Sequence, residues 1–270
     1  MPDINRPSDE QTVAVVDVET TGLFPFSGDR ICEVGIVSAQ GDAILETYQT
    51  LVNPLHPISP GAARVNGLSD LDVCQAPLFT DIADQVLARI EGKILVCHNA
   101  PFDLGFVSSE CNRLGQEFSS VEVIDTLLLA RQHFSFDSNS LQSIANALMI
   151  DCSGAHRALA DALTTRAVLE HFLVKLKRLP LNEIVYIYTP PLAAPAALDL
   201  PPLLQEALTS KKRLFICYVD KKGSETERWI TPKQILALND YIYVSAHCHL
   251  RGEDRSFRLD RISGIRMDDE

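Results

Sequence analysis

A chain of 270 residues, 46% apolar and 22% charged, has room for one large domain or two ordinary ones and the make-up of a soluble globular protein. No apolar run approaches the about 20 residues that cross a bilayer, so a membrane partner is not expected, and the polar opening MPDINRPSDEQ lacks the apolar core of a signal peptide. The net charge of −12 has the wrong sign for a simple nucleic-acid binder, and it is unevenly placed: residues 1–199 hold 12 basic and 25 acidic side chains, whereas residues 200–270 hold 12 and 11.

The elements follow in chain order. Segment 12–17 (TVAVVD) is a β-branched apolar run that reads as a buried strand, and 31–38 and 43–51 read as two more, with turns at Asp29 and at Gln40-Gly41-Asp42. Apolar residues at 79, 82, 83, 86, 87 and 90 have helical spacing. A strand at 93–97, a helix near 102–114 and a strand at 121–125 come next, then helices near 126–133, 139–149 and 157–177. Strands followed by alternating strands and helices indicate an α/β fold with a mixed central sheet. Residues 189–202, with five prolines and four alanines, have linker composition. Beyond 210 the pattern is β again, at 213–219, 226–231, 241–247 and 255–259, with a hairpin turn expected at Lys221-Lys222-Gly223-Ser224. The expected domains are 1–180 and 210–270, joined by a linker over 181–209. Seven scattered cysteines form no C-x-x-C pair, so neither a disulfide framework nor a zinc site is indicated, and a reducing, cytoplasmic compartment is the expectation.

Three segments carry candidate chemistry. In VAVVDVETTGL (13–23), Asp17 and Glu19 end a strand on one face, and adjacent carboxylates of this kind are hard oxygen ligands for Mg²⁺ or Mn²⁺. In LVCHNAPFDLGFV (95–107), Asp103 falls in the first turn of a helix, where the macrodipole alone would favour it. In GAHRALADALTT (154–165), His156 precedes or opens a helix and Asp161 follows five residues on.

The order D-x-E, D, H-x-x-x-x-D, with SGDRICEVGIV (27–37), LVNP (51–54), ARVNGL (63–68) and VIDTLLLAR (123–131) between, resembles the DnaQ-like exonucleases of the DEDDh type over about residues 11–177. That group contains the proofreading subunit of bacterial DNA polymerase III and RNase T. The resemblance implies an RNase H-like sheet flanked by helices and cleavage of phosphodiester bonds from a free 3′ end by two divalent cations, Mg²⁺ or Mn²⁺. It implies that Asp17 bridges both cations, Glu19 and Asp161 complete one site, Asp103 supports the other directly or through water, and His156 is the general base. Thr20, Leu23 and Phe102 match positions that contact or wedge terminal nucleotides, with core packing as the alternative for each. His98 is held equally as an orienting or a structural residue.

Residues 213–266 resemble a WYL domain, a small SH3-like β-barrel, through LFICYVDKKG, ERWITPKQIL and YIYVSAHCHLRGEDRSFRLDRISGI, although the namesake tripeptide is degraded to Ile242-Tyr243-Val244. The resemblance implies an anionic or nucleic-acid ligand. Arg251, Arg255, Arg258 and Arg261, with Tyr218, Tyr243, His247 and His249 nearby, are its candidates, and a solvated rim of Arg–Asp pairs is the alternative. By strand period, not all of these arginines can share one pocket. The expected partner is nucleic acid with a free 3′ end, single-stranded DNA before RNA. A ligand-sensing regulator, in which the nuclease fold is a response element or forms a homodimer, and a polymerase-bound proofreader stay open beside this reading.

Overall fold

A computed structural model describes residues 11–23, 25, 28–176, 179–190, 200–220, 223–238 and 241–267, which divide into two compact units. The first unit is built on a six-stranded sheet. Its strands are β1 (Thr12–Thr20), β2 (Ile31–Gln40), β3 (Ala43–Leu51), β4 (Ile94–Cys97), β5 (Val121–Asp125) and β6 (Tyr186–Tyr188). They lie in the order β3-β2-β1-β4-β5-β6. The β1–β2, β2–β3 and β5–β6 pairs are antiparallel, while β1–β4 and β4–β5 are parallel. The mixed sheet expected from the element order is therefore present.

Alternation along β1 sorts its side chains into two layers. Ala14, Val16 and Val18 face one core, with α3 (Phe79–Ile90) and α4 (Ala100–Arg113). Helix α3 follows two short helices, α1 (Pro60–Asn66) and α2 (Asp70–Val73), and buries Phe79, Ile82, Ala83, Val86 and Ile90, the stripe its sequence spacing marks out. Val15 belongs to the other core, with α5 (Thr126–His133), α6 (Leu141–Ala147) and α7 (Ala158–Lys175). Positions 17 and 19 share the parity of Val15, so the two carboxylates leave the sheet on the α7 side.

Two features of this unit lay outside the sequence expectations. Helices α1 and α2 are too short for a periodicity to show, and Ser59 caps α1 by accepting from the Ala62 N–H at 3.2 Å. The segment expected as linker over 181–209 is structured at both ends. Residues 181–184 form α8, and β6 adds Tyr186–Tyr188 to the sheet beside β5, with Tyr188 buried. Residues 191–199, the centre of the expected linker, lie outside the described residues.

The second unit has a helix, α9 (Pro202–Ser210), and five strands: β7 (Leu214–Val219), β8 (Glu225–Leu238), β9 (Tyr241–Cys248), β10 (Glu253–Arg258) and β11 (Ile262–Met267). They form an antiparallel sheet in the order β10-β9-β8-β7-β11. Leu204 and Ala207 of α9 are buried with Leu214, Ile216, Ile230, Val244 and Phe257. Strand β8 runs past its expected end, through Pro232, because a register shift between Pro232 and Gln234 accommodates a residue with no N–H to donate. In the expected hairpin, Gly223 (φ 81°) and Ser224 bond back to Asp220, while Lys221 and Lys222 lie outside the described residues. Among the described residues no β10–β11 pair closes the sheet into the expected barrel.

Candidate active site

The carboxyl ends of β1 and β4 open where the strand order jumps from the first strand to the fourth, the place where open α/β sheets bind ligands. Asp17 and Glu19 stand there on one face. Their cross-strand partners on β2 are Gly35 and Glu33. Asp161, in the first turn of α7, comes down onto the same face, and carboxylate oxygens of Asp17, Glu19 and Asp161 lie within 4.8 Å of one another. Asp103 arrives from the other layer, on α4. Its Oδ1 accepts from the Val18 N–H at 3.1 Å, and it stays outside that group of three.

Burial raises all four acids, and neighbouring carboxylates add to it at Asp17, Glu19 and Asp103. Burial pushes Asp17 well above the usual carboxylate range, and Asp103, Asp161, Glu19 and Glu33 add to it. Glu19 is pushed up to about 8, by burial first and then by Asp161 and Glu33. Burial also raises Asp103 and Asp161 against the hydrogen bonds they accept. Clustered acids of this kind are stabilised in their ionised form by bound cations. The donor set fits that role. Oδ2 of Asp161 accepts from the His156 N–H at 3.1 Å and from Gln142 Nε2 at 3.4 Å, while its Oδ1 is buried without a hydrogen-bond partner. An all-oxygen set with a free, buried carboxylate oxygen suits Mg²⁺ or Mn²⁺.

His156 precedes α7 in the left-handed region, φ 66°, which a non-glycine residue adopts only when its surroundings hold it there. Arg157 then caps the helix with extended backbone and reaches Glu33 by two hydrogen bonds, Nε to Oε2 at 3.0 Å and the other guanidinium nitrogen to Oε1 at 2.7 Å. Neither Glu33 nor Arg157 stood out in the sequence, because their pairing spans 124 positions and depends on the β1–β2 register. Asp125 was also missed. Its carboxylate caps α5 through Leu127 and Leu128 and accepts from the Asn99 and Ala100 N–H groups, which fixes the start of the helix that carries Asp103.

The residues expected around the terminal nucleotide are placed unequally. Leu23 is 62% exposed. Thr20 is buried and donates to the Gly22 carbonyl at 2.6 Å. Phe102 is half-buried and packs on Phe106 at 5.1 Å between ring centroids. His98 has both ring nitrogens engaged, with Thr126 Oγ1 at 2.9 Å and the Asn139 carbonyl at 3.0 Å. That geometry braces β4 against the segments around α5 and α6 and offers no ring nitrogen to a ligand.

In the second unit the six expected ligand residues do not converge. Arg255 lies opposite buried Ala246, and Tyr218 packs edge-on against buried Phe257, so both share the core-side parity. Arg258 lies opposite Tyr243 on the other face, bonded to Asp260 and stacked over Tyr241 at 3.5 Å. Arg251 is in a turn and Arg261 in the 3-10 turn Leu259–Arg261. The outer parity instead aligns Arg266, Phe215 and Trp229 as cross-strand neighbours. Arg266 stacks over Phe215 at 3.8 Å and Arg213 over Trp229 at 5.0 Å. This row was invisible without the register.

Comparison with known proteins agrees with both units. The exonuclease family model matches residues 14–169, and the WYL domain model matches residues 200–267. A 3′-5′ exonuclease DinG of Bacillus subtilis is 33% identical over 172 residues, 63% of this chain and 18% of that protein. A DNA polymerase III subunit epsilon-like protein of Rhodobacter capsulatus is 35% identical over 176 residues, 63% of this chain and 25% of that protein. The chain thus spans a quarter or less of the length of these relatives. The solved structure of Exonuclease X with 5′ overhanging duplex DNA covers 64% of this chain and 98% of its own, with TM-score 0.51 and 24% identity. That of Escherichia coli Exonuclease I with a dT13 oligonucleotide covers 87% and 55%, with TM-score 0.56 and 15% identity. At these identities the two structures speak for the fold.

Proposed function

Because this chain belongs to the exonuclease family, we propose that its first unit, residues 11–190, removes nucleotides one at a time from a 3′ end. The observation that carries the reading is the meeting of Asp17, Glu19 and Asp161 within 4.8 Å, with a buried Asp161 oxygen left free. Asp17 would hold two divalent cations, Mg²⁺ or Mn²⁺, with Glu19 and Asp161 completing one site and Asp103 supporting the other directly or through water. Bound there, such cations supply Lewis-acid stabilisation of the attacking and leaving oxygens. His156 takes a proton from the attacking water, whose oxygen bonds to the phosphorus. The P–O3′ bond then breaks. The 3′ oxygen stays on the shortened strand and gains a proton, and the nucleotide leaves with its 5′-phosphate. Neutral imidazole suits proton abstraction near pH 7.

Single-stranded DNA is the proposed substrate. Residues 1–199 hold 12 basic against 25 acidic side chains, so affinity is assigned to cations at the 3′ end, with exposed Leu23 and half-buried Phe102 against the last bases. The second unit, residues 200–267, carries 12 Lys and Arg against 8 Asp and Glu. We assign it the binding of nucleic acid or another anionic ligand. Its outer row of Arg266, Phe215, Trp229 and Arg213 supports this more than the six residues expected from sequence. An SH3-like curl of its sheet, begun by the β8 bulge, belongs to the same proposal. The test is a rate comparison on 5′-labelled single-stranded DNA, blunt duplex and single-stranded RNA with Mg²⁺ or Mn²⁺. Single-stranded DNA should be shortened at least about tenfold faster, a gap of about 1.4 kcal/mol in activation free energy. RNA as good or better would overturn the substrate assignment.

A further inference from the structure

Glu33 sits directly opposite Glu19 across the β1–β2 pair, beside the acidic cluster, yet its chemistry is the reverse of its neighbour's. It is 1% exposed. Its Oε1 accepts from Gln49 Nε2 at 2.7 Å and from the Arg157 guanidinium at 2.7 Å, and its Oε2 accepts from Arg157 Nε at 3.0 Å and from the Ala158 N–H at 3.1 Å. A carboxylate has about four acceptor directions, and four donors fill them. Nothing remains for a cation. Burial would raise its carboxyl, but the hydrogen bonds from Arg157, Ala158 and Gln49 hold it below the usual range.

We propose that Glu33 and Arg157 are positioning residues that hold the turn 154–157 and thereby set the place of His156. The proposal rests on the reading of His156 as general base. Residue 156 is in a left-handed conformation that its own side chain does not favour, and it is bracketed by two clamps. On one side its N–H is bonded to Asp161 Oδ2. On the other, the next two residues are fastened to Glu33 by side chain and backbone. The anchor is rigid because β2 is buried along nine of its ten residues. The planar guanidinium fork also orients the backbone that carries it, which a flexible ammonium would do poorly. Because protein donors take all four acceptor directions of Glu33, the pair is not free to ligate, and its loss should lower turnover while leaving substrate binding in place.

The experiment uses the full chain. Arg157→Met, Arg157→Lys and the double variant Glu33→Gln/Arg157→Met, which leaves no unpaired buried charge, are compared with wild type and with His156→Ala. Metal-free hydrogen–deuterium exchange of peptides covering 154–161 should accelerate about tenfold or more, with 31–40 unchanged in the double variant. With Mg²⁺, kcat should fall about 10- to 100-fold while KM stays within threefold, and Arg157→Lys should recover only part of the loss. Wild-type exchange in 154–161, an unchanged kcat, or a kcat loss that only tracks the folded fraction overturns the proposal. If His156→Ala itself keeps full activity, the general-base reading has failed. If His156→Ala is impaired but the clamp variants are not, the positioning inference has failed alone.

Discussion

Gly35→Ala should damage both stability and turnover, and the structure says by how much. Gly35 faces Asp17 across the β1–β2 pair, and the start of α7 lies directly on it. A Cβ built at Gly35 would meet the Ala158 carbonyl carbon at 2.3 Å and the Leu159 nitrogen at 2.4 Å, both backbone atoms that cannot rotate aside. Carbon atoms rest about 3.5 Å apart or more, so the first turn of α7 must retreat by about 1 Å. Overpacking of this kind costs about 1–3 kcal/mol. The same turn carries Asp161 and follows His156, and a misplacement of about 1 Å in such groups costs about 100-fold in rate. Urea unfolding without metal and single-turnover digestion of labelled DNA measure the two effects. Gly105→Ala is the control, since its Cβ would find nothing nearer than 3.7 Å. Wild-type stability and rate in Gly35→Ala would refute the claim that β2 seats the catalytic helix.

Further outcomes follow from the same geometry. Without metal, Glu19 takes up its proton near pH 8 in the folded state and near its ordinary value of 4.5 when unfolded, so the fold binds more protons between those limits. The Glu19 contribution to metal-free stability is then most favourable below about pH 4.5 and declines by up to about 4 kcal/mol as pH rises to 8, and Mg²⁺ should offset the loss most at the alkaline end. Urea midpoints in EDTA that are flat or rising over this range would count against it. Asp17→Asn removes one charge from the cluster, so it should raise the metal-free unfolding free energy measured in urea by about 1–2 kcal/mol while abolishing digestion. His98→Phe should lose about 1–3 kcal/mol by leaving the Asn139 carbonyl without the ring N–H and taking from Thr126 one of its two partners, with KM within twofold. A rise in KM without loss of stability would restore His98 as a substrate contact. In the second unit, Trp229→Ala should weaken retention of single-stranded DNA by an Asp17→Asn protein about tenfold, whereas Arg255→Ala should not, as measured by fluorescence anisotropy.

Much of the first unit was legible because its signals are local. Strand β1 announces itself by β-branched residues, α3 by its apolar stripe, and the three acidic motifs by their own flanks. What was hidden depends on distance. The pairing of Glu33 with Arg157 and the close approach at Gly35 need the β1–β2 register and the seating of α7, which no short window contains. Strand β6 is three residues inside a stretch whose prolines and alanines read as linker, and it is a strand only because β5 offers an edge to Tyr186–Tyr188. For His98 the sequence left an orienting and a structural role even, and its two hydrogen bonds favour the brace. In the second unit the arginines near 255 drew attention by density, but alternation places Arg255 and Arg258 on opposite faces and joins Arg213 and Arg266 to distant aromatic residues.

Digestion of a 5′-labelled single-stranded oligonucleotide, with and without Mg²⁺ or Mn²⁺ and beside Asp17→Ala, tests the central claim most directly. A ladder that shortens from the 3′ end, needs the cation and vanishes in the variant is the predicted result. No digestion, digestion from the 5′ end, or an undiminished ladder in Asp17→Ala would contradict the account.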